Sequence, residues 1–310
     1  MWSFRFLAAS TLLVGGLVGL TPAPAQAGTQ ECPAVVVVAA RGSDQNEFLE
    51  PTRYSDEAPW VSNGYEERNI RAFLQYSEQR HREQTGTSLM KDVHVLALDG
   101  SVYPAEFPTP HLTEDDEEVD NREFARRALD VVRERPPHLL AFDAVSGFVE
   151  SLRTGVRGTM GYIDSWEEST GCTPGYILIG YSQGALVLAP QEQEFAERGR
   201  LIGSLYLGNP LLAPGDATVV GRPNRGGGLL SSLPDSVAPR PADGAQHLNY
   251  CVADDFVCDI TSSAATGSLT TKGGAHANYF LEIEGNGASE YDAQVADTFA
   301  GWVTGYTPNP

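Results

Sequence analysis

Short apolar runs alternate along the chain with longer segments in which polar and apolar residues are mixed. The first three of these runs are rich in apolar residues, chiefly Val, Ile and Leu, which is typical of strands buried on both faces of a parallel sheet, and two later runs show the pattern more weakly. The longer segments have the length and periodicity of helices. Strands are predicted at Pro33–Ala40, Val93–Leu98, Tyr176–Ile179, Leu201–Leu207 and His247–Val252, and helices at Glu66–Glu83, Asn121–Glu134, Ala144–Ser169, Ala185–Arg198 and Ser289–Val303.

Strands separated by helices predict an α/β fold, with a central, mostly parallel sheet covered by helices on both faces. We expect one domain from residue 28 to residue 310. Two regions, 45–64 and 104–137, are polar or strongly charged and are interpreted as elaborations of this fold. The acidic run Glu114–Glu118 follows Thr113, a good helix N-cap, so a first helical turn explains it without a bound cation.

The N-terminus has the pattern of a secretory signal peptide. Arg5 precedes the apolar stretch Phe6–Leu20, and Ala25-Gln26-Ala27 is a small-x-small cleavage site before Gly28. Cleavage is expected after Ala27. No later segment reaches the roughly 18 apolar residues of a membrane span. The mature protein is therefore expected to be exported, either extracellular or in the cell envelope.

Charge and cysteine content narrow the classes of function. The formal net charge of −20 disfavours nucleic acid as a partner. Four cysteines in an exported chain favour two disulfides, and of the three possible pairings we favour Cys251 with Cys258 and Cys32 with Cys172. Clustered Cys and His at zinc-ligand spacing are absent from the sequence. No metal, cofactor or obligate protein partner is expected, and the protein is expected to be a monomer.

The stretch Gly180-Tyr181-Ser182-Gln183-Gly184 carries the most specific chemical signal. It ends a predicted strand and opens a helix-forming segment, as in the G-x-S-x-G nucleophile elbow. Small residues on either side allow the sharp turn that raises the serine above the sheet edge. No other serine in the chain has glycine at both positions. Ser182 is therefore the candidate nucleophile.

A nucleophilic serine needs a base, and the base needs a carboxylate that orients it. In this architecture the chain order is serine, acid, histidine, and only His247 and His276 follow Ser182. His247 lies in a predicted strand, where a structural role is expected, so His276, in a glycine-rich loop, is the candidate base. The candidate acid is Asp255, with Asp254 as the fallback, because both lie between Cys251 and Cys258.

With these residues in place, the chain resembles the cutinase family of serine esterases. The resemblance rests on Ala40-Arg41-Gly42-Ser43 at the end of the first strand, the elbow at 180–184, the Cys251-x-x-x-Asp255-x-x-Cys258 loop and the downstream His276. Tyr103-Pro104-Ala105, after the second strand, is similar to a further family element.

The resemblance implies an α/β-hydrolase fold and a role for each matched residue. By this resemblance Ser182 is the nucleophile, His276 the base and Asp255 the acid that orients it. Ser43 and Gln183 match the oxyanion hole, through backbone amides and, at Ser43, the hydroxyl. The family bridges the cysteines that match Cys32 and Cys172, which supports the pairing favoured above.

The chain also departs from compact members of the family. Cys32 and Cys172 are 140 positions apart, which implies inserted material within residues 45–137. The interval from Asp255 to His276 is also long. Insertions that wall or cover the cleft would make polymeric cutin a poor fit as substrate.

These observations predict an exported serine esterase or lipase-type hydrolase whose partner is an ester substrate, namely a lipid, a polyester or an acyl sugar. Hydrolysis of an envelope acyl sugar such as a trehalose mycolate, or acyl transfer to a sugar hydroxyl, would use the same triad. The alternative from another class is a non-catalytic envelope protein that binds lipid.

Overall fold

The computed structural model describes residues 31–107, 137–221, 226–232, 242, 245–261, 264 and 274–307. The predicted signal peptide, the predicted helix Asn121–Glu134 and the acidic run Glu114–Glu118 lie outside these residues.

Six strands of the described chain pair in parallel to form one sheet. The strands are β1 (Val35–Ala40), β2 (Val93–Ala97), β3 (Gly175–Tyr181), β4 (Leu201–Leu207), β5 (Val219–Gly221) and β6 (Gln246–Cys251). Their order across the sheet is β2, β1, β3, β4, β6, β5, so β1 and β3 occupy inner positions.

The apolar runs form these strands because the sheet is covered on both faces. All residues of β1 and β3 are buried. Alternate residues of β1 enter different cores: Val35 and Val37 pack on one side of the sheet, and Val36 and Val38 pack on the other. This arrangement gives the α/β-hydrolase-type architecture that the sequence predicted.

Helices from both halves of the chain supply the two covering layers. The described helices are α1 (Glu67–Thr85), α2 (Pro137–Thr170), α3 (Gln183–Leu188), α4 (Glu192–Glu197), α5 (Ile283–Asn286) and α6 (Glu290–Gly305). Apolar residues of α1 and α6 pack on one face of the sheet, whereas those of α2, α3 and α4 pack on the other.

One helix predicted from the sequence is divided in the structure. The segment 185–198 was expected to be continuous, but a short 3₁₀ turn at Ala189–Gln191 separates α3 from α4. Pro190 lies in this turn and has no N–H to donate to the preceding helical turn, which accounts for the break.

Two disulfides lie at the two ends of the sheet. Cys32–Cys172 joins the segments that lead into β1 and β3, which are neighbouring parallel strands. Cys251–Cys258 closes a loop of seven residues' separation at the end of β6. Both pairs are those favoured from the sequence.

Within the described part of the chain, no helix combines the length and apolar character needed to cross a bilayer. In the same residues, His, Cys, Asp and Glu side chains do not form a cluster of three that could hold a metal ion.

A half-buried histidine on β2 makes stability sensitive to acid. His94 stacks on Trp166 of α2, with ring centroids 5.7 Å apart. Burial lowers the pKa of His94 to about 4. An unfolded histidine titrates near 6.5, so between about pH 6.5 and pH 4 the unfolded chain takes up a proton that the folded chain does not. Stability is therefore lost as the pH falls through this window.

We expect this group to cost about 3 kcal/mol of unfolding free energy between pH 7 and pH 4. His94→Phe, which keeps an aromatic ring against Trp166, should remove most of that loss. The measurement is guanidinium unfolding at several pH values, with His81→Phe on α1 as the control that retains it. Equal pH slopes in the wild type and His94→Phe would contradict the assignment.

Candidate active site

The turn between β3 and α3 holds its serine in an unusual backbone conformation. Ser182 has φ 52° and ψ −115°, which a side-chain-bearing residue adopts only at a cost of about 1–3 kcal/mol. Hydrogen bonds fix this conformation from both sides. The Ser182 N–H donates to the carbonyl of Leu207 on β4 (2.9 Å), and the Ser182 carbonyl accepts from the N–H of Ala185 (3.0 Å).

Close packing explains the two glycines of the motif. A Cβ atom on Gly180 would lie 2.7 Å from the backbone of Ala185 in α3. A Cβ atom on Gly184 would overlap the carbonyl oxygen of Ala40 at the end of β1. Because both contacts are with backbone atoms, neither neighbour can turn aside. The G-x-S-x-G spacing is therefore a steric requirement of bringing α3 directly onto β1 and β3.

The structure brings Ser182, His276 and Asp255 together in one hydrogen-bonded chain. The Nε2 atom of His276 lies 2.8 Å from Ser182 Oγ, and its Nδ1 atom lies 2.8 Å from Asp255 Oδ2. These residues are 94 and 21 positions apart in the sequence. The imidazole therefore lies between a hydroxyl and a carboxylate, within hydrogen-bonding reach of each.

Asp255, and not its neighbour Asp254, contacts the histidine. The carboxylate of Asp255 is fully buried, whereas Asp254 is exposed. Asp255 Oδ1 accepts a hydrogen bond from the N–H of Val257 (2.8 Å), and Oδ2 accepts one from the hydroxyl of Tyr279 (2.7 Å). A buried carboxylate needs such donors because unsatisfied polar groups are costly in the protein interior. The Cys251–Cys258 disulfide closes the loop that carries it.

His276 is held by a ring contact and a backbone hydrogen bond as well as by the hydrogen bonds at its ring nitrogens. His276 lies in a 3₁₀ turn at Ala275–Asn278, and its ring stacks on Tyr181 at a centroid distance of 5.2 Å. The Tyr181 hydroxyl donates to the His276 carbonyl (2.6 Å). Burial raises the pKa of Tyr181, which keeps this hydroxyl protonated and able to donate. The residue that precedes the serine thus fixes the loop that carries the histidine.

The predicted oxyanion residues lie next to each other at the ends of β1 and β3. The Ser43 hydroxyl donates to the side-chain carbonyl of Gln183 (3.2 Å). Gln183 is the first residue of α3, so its backbone N–H has no acceptor within the helix. Its side-chain NH₂ lies 3.5 Å from the Glu106 carbonyl and 3.4 Å from the Phe148 carbonyl.

A buried arginine organises the loop that carries Ser43. Arg41 has no exposed surface, and its guanidinium donates to the carbonyls of Leu98 (2.8 Å) and Tyr103 (2.9 Å) and to Asn46 Oδ1 (3.0 Å). Burial lowers the pKa of Arg41. Within the Ala40-Arg41-Gly42-Ser43 element that supported the family resemblance, Arg41 therefore joins the end of β1 to the segment that follows β2.

The second histidine downstream of Ser182 has different partners. His247 belongs to β6, where its Nε2 atom is 3.0 Å from Asn249 Nδ2 and its Nδ1 atom is 3.5 Å from the buried carboxylate of Glu192. None of the described hydrogen bonds of His247, Asn249 and Glu192 involves a residue of the Ser182–His276–Asp255 chain. The structural role expected for His247 therefore agrees with its contacts.

Tyr279 is a site residue that the sequence reasoning missed. It is buried, and its hydroxyl shares Asp255 Oδ2 with the imidazole. Its position three residues after His276 was the only signal in the sequence, and that spacing acquires meaning only when the turn at Ala275–Asn278 is known.

Tyr279→Phe should lower the kcat of the esterase activity proposed below by about tenfold, with KM within about twofold, because the carboxylate loses a donor. Tyr250→Phe is the matched control. Tyr250 is also buried and adjacent, but its hydroxyl donates to Asp292, outside the triad (2.7 Å). Kinetics on a p-nitrophenyl ester and the unfolding free energies of both variants make the comparison. Equal kcat losses in the two variants would count against a role for Tyr279.

The fold and this arrangement define a class. A parallel sheet covered on both faces, a serine on a strained strand-to-helix turn, and an acid and a histidine on later loops constitute the α/β-hydrolase fold.

Comparison with known proteins gives matches among solved structures. No protein-family model matches the chain, and no curated protein matches it. A cutinase-like protein from Cryptococcus sp. is 15% identical, with 88% of this chain and 95% of that chain covered and a TM-score of 0.47. The catalytic core domain of acetyl xylan esterase from Trichoderma reesei is also 15% identical, with coverage of 89% and 99% and a TM-score of 0.44.

Lysin B from Mycobacteriophage D29 is a third match, at 15% identity, coverage of 88% and 90%, and a TM-score of 0.39. The solved structures that this chain resembles thus include a cutinase-like protein, as the sequence led us to expect.

Proposed function

We propose that the protein is an exported serine esterase that cleaves carboxylic esters through an acyl-enzyme. The observation that carries the proposal is the continuous hydrogen-bonded chain from Ser182 Oγ through His276 to Asp255. A serine hydroxyl is a weak nucleophile by itself, and this is the arrangement that activates it. The two disulfides and the predicted signal peptide support export.

In the first step the Ser182 oxygen attacks the acyl carbonyl carbon while His276 Nε2 takes the hydroxyl proton. Asp255 keeps the other ring N–H oriented and stabilises the imidazolium that forms. The carbonyl π electrons move to oxygen and give a tetrahedral oxyanion. When that intermediate collapses, the bond to the alcohol oxygen breaks and the imidazolium gives its proton to the leaving alcohol.

In the second step a water molecule attacks the acyl-enzyme and loses its proton to His276. Collapse of this intermediate returns the proton to Ser182 and releases the acid. An alcohol that takes the place of water would give acyl transfer by the same residues.

The oxyanion donors in this mechanism are the backbone N–H of Gln183 and the amide and hydroxyl of Ser43. The free N–H at the start of α3 supports the first assignment. The Ser43 hydroxyl donates to the Gln183 side chain in the absence of substrate, so it must turn from that acceptor toward the oxyanion.

For the substrate we propose a lipid, a polyester or an acyl sugar, which an exported esterase meets outside the cell membrane. Hydrolysis rates on p-nitrophenyl esters of increasing chain length, followed by purified acyl sugars, would rank these substrates. A matching assay with a sugar acceptor would distinguish hydrolysis from transfer.

A fluorophosphonate probe tests the proposed function directly. We expect one equivalent of probe to label the wild type and Ser101→Ala, an exposed serine far from the elbow in sequence, and Ser182→Ala to remain unlabelled. Intact-protein mass spectrometry measures the label. Absence of label on folded wild-type protein would support the alternative of a non-catalytic lipid-binding protein.

A further inference from the structure

Two amide side chains join the loop that carries Ser43 to the loop that carries His276. Gln45 Oε1 accepts from the N–H of Gly42 (2.9 Å), and Gln45 Nε2 donates to Asn69 Oδ1 (2.6 Å). Asn69 Nδ2 in turn donates to the carbonyls of Ala277 (2.9 Å) and Tyr279 (3.0 Å). An unbroken hydrogen-bonded path therefore runs from the residue before Ser43 to the two carbonyls that flank Asn278.

The orientation of both amides is determined by this path. Asn69 is almost fully buried (1% exposed), and its oxygen and its NH₂ group both have partners. Turning either amide over would place an oxygen against a carbonyl or an NH₂ against an N–H. Because unsatisfied buried polar groups are costly, the bridge formed by Gln45 and Asn69 has one favourable arrangement of its amides.

Asn69 belongs to a helix end that is itself hydrogen-bonded to the segment after Gln45. Asn69 lies in the first turn of α1, whose Glu67 carboxylate accepts from the N–H groups of Glu47 (3.1 Å) and Phe48 (2.7 Å). The segment after Gln45, which the sequence predicted to be inserted material, is thus fastened to the same helix end as the bridge. Glu47 and Phe48, near the start of this predicted insertion, therefore lie beside the helix end that carries Asn69.

We propose that Gln45 and Asn69 are positioning residues that fix the distance between the oxyanion donors and the imidazole. The inference rests on the proposed function, in which Ser43 and His276 act on opposite sides of one acyl carbon. Both groups must be placed to within a fraction of an ångström, since a displacement of about 1 Å can cost about 10²-fold in rate. The bridge couples the two loops so that they move together.

The test uses variants that keep side-chain size and remove the polar atoms. Gln45→Met and Asn69→Leu should each lower kcat on a p-nitrophenyl ester by about tenfold, with KM within about twofold. The double variant should be no slower than the slower single variant, because both changes cut the same path. Asn63→Leu is the matched control, since Asn63 donates to the Ala97 carbonyl (2.8 Å), outside this path. It should keep wild-type kcat.

A second readout does not need activity. The proton on Nδ1 of His276 should give a downfield NMR signal in the wild type. Gln45→Met should shift or broaden this signal, although no described hydrogen bond joins Gln45 to His276. Gln45 is only half-buried, so this variant should fold even if Asn69→Leu does not. An unchanged His276 signal in Gln45→Met, or kcat losses that multiply in the double variant, would overturn the bridge. If the wild type lacks esterase activity, the proposed function fails and the NMR comparison alone decides on the bridge.

Discussion

Ser182→Ala is expected to lower kcat on a p-nitrophenyl ester by about 10⁴- to 10⁶-fold, because the variant has no atom that can form the acyl-enzyme. Without an acyl-enzyme, the burst of p-nitrophenol that precedes steady turnover should disappear, while the variant still binds substrate and remains folded. Stopped-flow absorbance measures the burst, and circular dichroism checks the fold. A residual rate within tenfold of the wild type would mean that another group performs the chemistry.

The same position also allows a stability test. The backbone of Ser182, at φ 52° and ψ −115°, lies where glycine is favoured, as at the first central residue of a type II′ turn. Ser182→Gly should therefore be about 1 kcal/mol more stable than Ser182→Ala, although both are inactive. Guanidinium unfolding of the two variants measures the difference. A glycine variant less stable than the alanine variant would show that the turn is not strained.

Gly208→Ala is expected to lower kcat by about 10²-fold although Gly208 carries no functional group. A Cβ atom there would lie 2.6 Å from His276 Cε1 and 3.0 Å from Asp255 Oδ2. The fold can yield because the nearest contacts are side-chain atoms and the imidazole can move aside. That movement lengthens the contacts on which its function as a base depends, so activity falls more than stability does.

Gly199→Ala is the control for Gly208→Ala. Gly199 has a similar positive φ (69°, against 57° at Gly208), but a Cβ atom there would meet nothing within 4 Å. Both variants carry the backbone strain of alanine at positive φ, and only Gly208→Ala displaces the imidazole. Steady-state kinetics and unfolding of the two variants therefore separate strain from displacement. Equal kcat in both would show that the imidazole tolerates the added methyl group.

The sheet could be predicted from the sequence because its strands are buried on both faces. An uninterrupted apolar run such as 33–40 is the pattern that such burial requires, and all five predicted strands are present. β5 was missed because Val219–Gly221 has only three residues, too few for a periodic signal. The division between α3 and α4 was also missed, since the helical pattern continues through the 3₁₀ turn that contains Pro190.

Within the candidate site, the residues that could be predicted from the sequence are those for which the required residue type and chain order leave few candidates. Few histidines follow Ser182, and the cysteines enclose only two aspartates, so His276 and Asp255 could be selected by elimination. Residues that act through packing or single hydrogen bonds could not be selected in this way. The effect of Gly208 depends on how closely the end of β4 approaches His276, and that of Asn69 on which carbonyls face α1. These distances arise only when distant segments fold together.

The Cys32–Cys172 bond has a consequence for proteolysis. It closes a covalent ring of chain that contains β1, α1, β2 and α2, including the whole region 45–137 in which inserted material was predicted. A protease that cuts once within this ring produces two fragments that stay tethered at the base of β1 and β3. Damage to a surface segment there would thus leave Ser43 and Ser182 on pieces that cannot diffuse apart until a reductant opens the bond.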